Sequence, residues 1–269
     1  MYLTDSRSSA ATNTMFPDKK LIEQRFAKAA LTYEKQAGIQ HSVAKKLLKM
    51  IDSQLKKEPA SILEIGCCTG LLTSYLVQRF PQLHTLLVTD LSPSFKPFIE
   101  EKTKQLNGAV SFLSGDIETI DIHGTYDVII SSSTLHWIYD LPALFSKLHT
   151  LLKTESILAF SIYGTKNVQE IKSITGIGLN YLNMAHLQDA ISSKFEILDS
   201  DQALEQAWFS SPMEVLQHLR QTGVNALGSK AWTRRDLKRF IDQYTCRFSG
   251  EKGVSLTYHP MYFVAQPRP

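Results

Sequence analysis

The chain has 269 residues, 43% of them apolar, 10% aromatic and 20% charged, with 29 Lys plus Arg against 26 Asp plus Glu and a net charge of +3. This is ordinary globular composition, and it excludes a collagenous, low-complexity or wholly disordered chain. The positive balance is weak and no basic stripe is interleaved with aromatics, which argues against a nucleic-acid partner. The longest apolar stretches are short, as at Val128-Ile129-Ile130, far below the roughly eighteen residues a membrane span needs. Cys67, Cys68 and Cys246 form neither a disulfide framework nor a set with metal-ligand spacing. No metal is therefore expected, and a cytoplasmic, reducing location is the simplest setting.

Residues 1–17 are rich in Ser and Thr and lack the apolar segment of a signal peptide, so they read as a disordered lead-in. Leu21, Ile22, Phe26, Ala29, Ala30 and Tyr33 recur at helical spacing, and Ile39, Val43, Leu47, Ile51 and Leu55 follow every four residues. Two amphipathic cap helices are therefore expected within 18–57. Residues 61–65 read as a buried strand ending at Gly66, followed by a helix over 71–80 that Pro81 stops. A strand at 86–90 leads to Ser92-Pro93, which opens a helix running to about residue 106. Strands at 110–113 and 126–131, a helix at 141–152 and a strand at 157–163 continue the alternation.

Short helices are expected over 167–175 and 184–191, then one strand from 195 that extends to about 209. Ser211-Pro212-Met213-Glu214 and Thr233-Arg234-Arg235-Asp236 are capping boxes for two further helices, and 255–265 reads as a single final strand. The pattern predicts an α/β fold: a Rossmann-like, doubly wound, mostly parallel seven-stranded sheet. Its core spans 58–209 and 251–269, with the N-terminal helices ahead of it and a helical lid insertion at 210–250 before the last strand.

The strongest local signal is Glu64-Ile65-Gly66-Cys67-Cys68-Thr69-Gly70, which follows a strand and opens a helix. Glycines there let the backbone turn tightly and approach a ligand. Asp90 ends the next strand, where a carboxylate can hold a ribose hydroxyl pair. The order Gly66-x-x-x-Gly70 differs from the Gly-x-Gly-x-x-Gly that seats a pyrophosphate, and Glu64 would repel phosphate but suits an ammonium. The pattern favours S-adenosyl-methionine over a dinucleotide.

Residues 62–70 resemble the first motif of class I S-adenosyl-methionine-dependent methyltransferases. Val88-Thr89-Asp90-Leu91-Ser92, Ser114-Gly115-Asp116-Ile117-Glu118 and Tyr126-Asp127-Val128-Ile129-Ile130-Ser131-Ser132 resemble the later ones, in the right order. The resemblance implies that Glu64, Gly66, Cys67 and Gly70 surround the cofactor, and that Asp90 and Leu91 take the ribose. Asp116 takes the adenine amino group, Ile117 packs on the ring, and Ser132 lies beside it. Cys68 departs from the pattern, standing where the family usually has glycine.

A narrower resemblance is to the malonyl-[acyl-carrier-protein] O-methyltransferases of biotin synthesis. It rests on Gln24 to Tyr33, Ser132-Ser133-Thr134-Leu135-His136-Trp137, residues 215–224, and Ser255-Leu256-Thr257-Tyr258-His259. It implies methyl transfer to the free carboxylate of malonyl-acyl carrier protein, or of malonyl-CoA. Such a carboxylate is already ionised at neutral pH, so no general base is required. Arg220 and then Arg25 are the candidates for binding it, since a guanidinium can grip a carboxylate with two hydrogen bonds. Tyr33, His136 and Tyr163 are candidate acceptor-site residues. Lys230, Arg234, Arg235, Lys238 and Arg239 form a basic stripe suited to an acidic carrier protein. Another small-molecule methyltransferase of the same fold, or a non-catalytic binder of the cofactor, would share the core motifs.

Overall fold

The apolar runs separate onto two sheet faces. In the computed structural model, which describes residues 17–224 and 232–269, the cap helices are α1 (Lys19–Gln36) and α2 (Gly38–Gln54). The alternating part follows as β1 (Ser61–Ile65), α3 (Leu71–Arg79), β2 (Thr85–Asp90), α4 (Lys96–Lys102), β3 (Ala109–Ser114), β4 (Tyr126–Ser132), α5 (Leu141–Thr150) and β5 (Leu152–Tyr163). Then come α6 (Gln169–Thr175), α7 (Met184–Ser192), β6 (Phe195–Gln202), β7 (Glu205–Phe209), α8 (Pro212–Gln221), α9 (Arg234–Phe248), β8 (Ser249–Gly250), β9 (Gly253–Tyr258) and β10 (Pro260–Pro267).

The main sheet has seven strands in the order β3-β2-β1-β4-β5-β10-β6. The pairs from β3 through β5 are parallel, while β10 runs antiparallel to both its neighbours. Alternate residues feed opposite layers. Ile62, Leu86, Val88, Val128 and Ile130 pack with α2 and α3 through Val43, Leu47 and Leu76. Leu63, Ile65, Ile129, Leu158 and Phe160 pack with α5 and α7 through Phe145, Leu148 and Leu187. Burial on both faces explains why these strands read as continuous apolar runs. Winding reverses between β1 and β4, so the loops after them part and leave a crevice, the usual ligand site of open parallel sheets.

Two strand expectations are corrected. The run at 195–209 is two strands, β6 in the main sheet and β7 in a small sheet of order β7-β9-β8. The run at 255–265 is also two strands, β9 and β10. Pro260 has no N–H to give a ladder, and the His259 N–H turns to the Asn167 side chain, so the chain changes sheets there. The helix expected to reach residue 106 stops at Lys102, where the Thr103 hydroxyl donates back to the Ile99 carbonyl at 2.7 Å. Helices α8 and α9 pack on the small sheet through Val215, Leu219, Phe240, Tyr244, Leu256 and Tyr258. Among the described residues no helix is long and apolar enough to cross a membrane. The expected lead-in, apart from its last residue, and Lys230 lie outside the described residues.

One carboxylate pins the edges of the central strands. Asp127 Oδ2 accepts from the Ala60 and Ser61 N–H groups, both at 2.9 Å, and Oδ1 pairs with Lys153 at 2.7 Å. Burial alone would raise its pKa, but Lys153, the Ser61 hydroxyl and these amides hold it below the usual carboxylate range. Asp127→Ala is expected to cost about 2–3 kcal/mol, read from the denaturant midpoint. In the wild type this contribution is present above the ordinary carboxylate range and is lost as pH falls through the lowered value.

Candidate active site: a cofactor cleft, an inner chamber and an outer groove

The crevice at the β1–β4 reversal is a cleft lined by the loops after β1, β2, β3 and β4 and roofed by α1. Gly66 leaves β1 at φ +75°, and a Cβ there would lie 2.3 Å from the Thr134 side chain, so only glycine lets the two loops meet. Asp90, at the end of β2, accepts from the Cys68 N–H at 2.8 Å and the Ser92 N–H at 3.0 Å. Burial pushes its carboxyl up to about 6, and those backbone donors pull against the rise. Asp116, after β3, accepts from the Glu118 N–H at 3.1 Å and pairs with Lys19 of α1 at 2.5 Å. Lys19 also pairs with Glu118, so one lysine ties the cap helix to the loop after β3.

Glu64 is buried behind the cleft, between β1 and α3, at 1% exposure. Its Oε2 accepts from the Thr73 hydroxyl at 2.7 Å, while Oε1 has no partner. Burial raises this carboxyl to about 8 despite the Thr73 hydrogen bond, and the nearby Asp90 charge adds to the rise. A half-paired buried carboxyl beside an acidic cleft suits a cationic ligand such as a sulfonium-bearing amino acid, and is poorly suited to pyrophosphate.

Seven of the nine expected cofactor residues line the cleft: Gly66, Cys67, Asp90, Leu91, Asp116, Ile117 and Ser132. Glu64 stands behind it, and Gly70 is the left-handed N-cap of α3. Cys68 lines the cleft at φ +49°, a conformation that costs a non-glycine residue about 1–2 kcal/mol.

Phe26, Tyr33, Gln40, Ser133 and Trp137 line the cleft and also a second, small inner chamber with a cavity volume of about 20 Å³. His136, Tyr163, Asn167 and Tyr258 complete its polar wall. The chamber thus brings together Tyr33, His136 and Tyr163. Tyr163 accepts from the Ser133 hydroxyl at 3.3 Å, and Tyr258 is held by His218 at 2.6 Å. Burial drops the pKa of His136 to about 3, so the ring is neutral at physiological pH.

Arg25 and Arg220 do not line the chamber. They line a larger outer groove of about 880 Å³ between α1, α6, α8 and α9, which meets the chamber at Val224. Arg234 lines its edge, and Arg235, Lys238 and Arg239 continue exposed along α9. The sequence reasoning missed Lys19, Gln40 and Asn167. The available signal for Gln40 was its position, a polar residue among Val43, Ala44 and Leu47 on the buried face of α2.

The fold and the cleft define a class I S-adenosyl-methionine-dependent methyltransferase. The family profile described as a methyltransferase domain matches residues 63–160. Among solved structures, the N-methyltransferase NodS of Bradyrhizobium japonicum in complex with S-adenosyl-L-homocysteine aligns with a TM-score of 0.51 and 13% identity, covering 84% of this chain and 86% of that one. A putative methyltransferase of Bacillus halodurans aligns at 0.60 with 11% identity, covering 82% and 98%. These similarities show the fold. Sequence relatives are nearer: the malonyl-[acyl-carrier protein] O-methyltransferase of Bacteroides thetaiotaomicron is 37% identical over 261 residues, 93% of this chain and 99% of the relative. That of Calditerrivibrio nitroreducens is 37% identical over 242 residues, covering 90% and 94%. The chain belongs to the malonyl-[acyl-carrier protein] O-methyltransferase family.

Cys68→Gly is expected to raise stability by about 1 kcal/mol by removing the left-handed strain, with cofactor affinity retained or improved. Cys68→Val is expected to lower both. Thermal unfolding with and without S-adenosyl-homocysteine measures each effect.

Proposed function

We propose that the chain transfers the methyl group of S-adenosyl-methionine to the free carboxylate of a malonyl thioester on an acyl carrier protein, an early step of biotin synthesis. The observation that carries this reading is the three-part site: an acidic cofactor cleft opens into a small chamber of neutral donors, which opens into a long groove edged with arginines. We assign the small acyl group to the chamber, which must widen to admit it, and the extended carrier arm to the groove. The family membership supports the same acceptor.

When bound, S-adenosyl-methionine supplies an electrophilic methyl on a positively charged sulfur. We assign Glu64 to its amino-acid ammonium, Asp90 and Leu91 to the ribose, and Asp116 and Ile117 to the adenine, with Gly66, Cys67 and Ser132 forming the close walls. Gly70 sets the start of α3. Phe26, Tyr33 and Trp137 stand between cleft and chamber and exclude water from the junction. The acceptor oxygen forms its new bond to carbon with its own lone pair, and the electrons of the broken carbon–sulfur bond stay with sulfur. No proton moves, so the neutral His136 has no base to be, and its place is to shape and line the acceptor chamber with Tyr163.

The two reacting charges cancel as the methyl moves, and burial disfavours those charges more than it disfavours the neutral products. The reaction therefore belongs in a water-poor chamber. Arg25 and Arg220 act in the outer groove, where they receive the anionic arm of the carrier, and helices α8 and α9 serve as the lid, with Arg220 on α8. Arg235, Lys238 and Arg239 present an exposed basic face to an acidic carrier protein.

A methyl-transfer assay with labelled S-adenosyl-methionine tests the reading, with malonyl-, acetyl- and succinyl-acyl carrier protein compared. Base-labile label on the malonyl carrier alone is the expected result. Absence of label on it, with cofactor bound, would overturn the proposal. Arg220→Ala and Arg25→Ala are each expected to raise KM for the carrier about tenfold with little change in kcat. The wild-type KM should rise with salt as the basic face is screened.

A further inference from the structure

Gln40 is a buried amide that the fold does not use. It lies on the inner face of α2 at 5% exposure, and its Oε1 has no hydrogen-bond partner. It lines both the cofactor cleft and the inner chamber, so it stands at the junction where a methyl group must pass. The chamber's other buried, unpartnered side-chain atom is Nδ1 of His136. By contrast, the Asn167 amide is engaged, donating to Tyr181 at 3.0 Å and accepting from the His259 N–H at 3.3 Å. Among the described residues no Asp, Glu, Lys or Arg lines the chamber.

We propose that Gln40 is the substrate-holding residue of the chamber, orienting the acceptor carboxylate toward the cofactor cleft, with the neutral imidazole of His136 beside it. The proposal rests on the reading that the acceptor is a malonyl carboxylate. An amide N–H fixes one carboxylate oxygen by a hydrogen bond while leaving the anion's charge available to the reaction. A guanidinium in the same place would hold a full opposite charge against an oxygen whose charge is consumed, and so would favour the reactants. Oε1 only accepts, so an ionised carboxylate cannot satisfy it, and the assignment rests on the amide N–H at the junction of the two cavities.

Gln40→Leu and Gln40→Glu test this against the wild type with malonyl-acyl carrier protein. The leucine keeps the volume and removes the donor. The glutamate keeps the shape and sets a carboxyl against the acceptor's carboxylate. Both are expected to lower kcat about 100-fold or more, while S-adenosyl-methionine binds within about threefold of wild type by calorimetry. The Gln40→Leu protein should melt at or above the wild-type Tm, because an unpaired buried amide has been removed. Wild-type-like kcat in Gln40→Leu would overturn the proposal. So would a loss of cofactor affinity in step with the loss of activity, which would assign the amide to the cofactor. A lowered Tm with activity falling only as the folded fraction falls would assign it to packing. A wild-type protein that binds cofactor but leaves the malonyl carrier unmethylated would overturn the underlying reading, and this proposal with it.

Discussion

A carboxyl buried between β1 and α3, with one oxygen held by Thr73 and the other unpaired, is the constraint around which the site is built. In water such a group would be ionised and hydrated. Here burial raises it to about 8, so much of its capacity for charge is held back until positive charge arrives nearby. The surrounding chain is arranged to bring that charge close. Gly66 turns the backbone out of β1 without a side chain, Asp90 ties the turn to the end of β2 through the Cys68 N–H, and Lys19 draws the cap helix onto Asp116. Each device also costs the fold something: a left-handed Cys68, a half-paired acid, and an unpartnered amide and imidazole next door. An unsatisfied buried polar group costs about 1–3 kcal/mol, so the free enzyme carries strain that bound ligands can relieve.

The two sides of the site then follow different electrostatic rules. The cofactor side collects acids and suits a cation. The acceptor chamber has no charged side chain among the described residues, although the proposed substrate is an anion. A unit ion pair about 4 Å apart is worth about 4 kcal/mol at an effective dielectric near 20. Were a fixed cation to grip the reacting oxygen, part of that attraction would be lost as the oxygen gave up its charge, and the barrier would rise. Arg25 and Arg220 line the outer groove instead, and on the proposed reading this separates capture from reaction. Long-range attraction works at the mouth, and neutral hydrogen bonds work at the methyl.

Much of this was legible in the sequence because the cofactor half is local. Glu64, Asp90 and Asp116 each sit at or just past the end of a strand whose apolar run identifies it, and a strand end in a parallel sheet is a predictable place. The acceptor half is assembled by tertiary contact. Residues 255–265 look like one strand because nothing in the alternation shows that β9 and β10 belong to different sheets, and only the His259-Pro260 step hints at the break. Arg220 was the natural partner for a carboxylate by chemistry, yet α8 directs it to the groove. Gln40 lies on a regular helical period and becomes conspicuous only when its missing partner and its two neighbouring cavities are seen together.

The most direct test of the central constraint is the proton balance of cofactor binding, measured at pH 7 by titration calorimetry in buffers of different ionisation enthalpy. With its carboxyl at about 8, Glu64 is mostly protonated in the free enzyme. A nearby bound cation lowers that value, so binding S-adenosyl-methionine should release most of one proton, and Glu64→Gln should abolish the release. No net release from the wild type, or an equal release from the variant, would contradict the account.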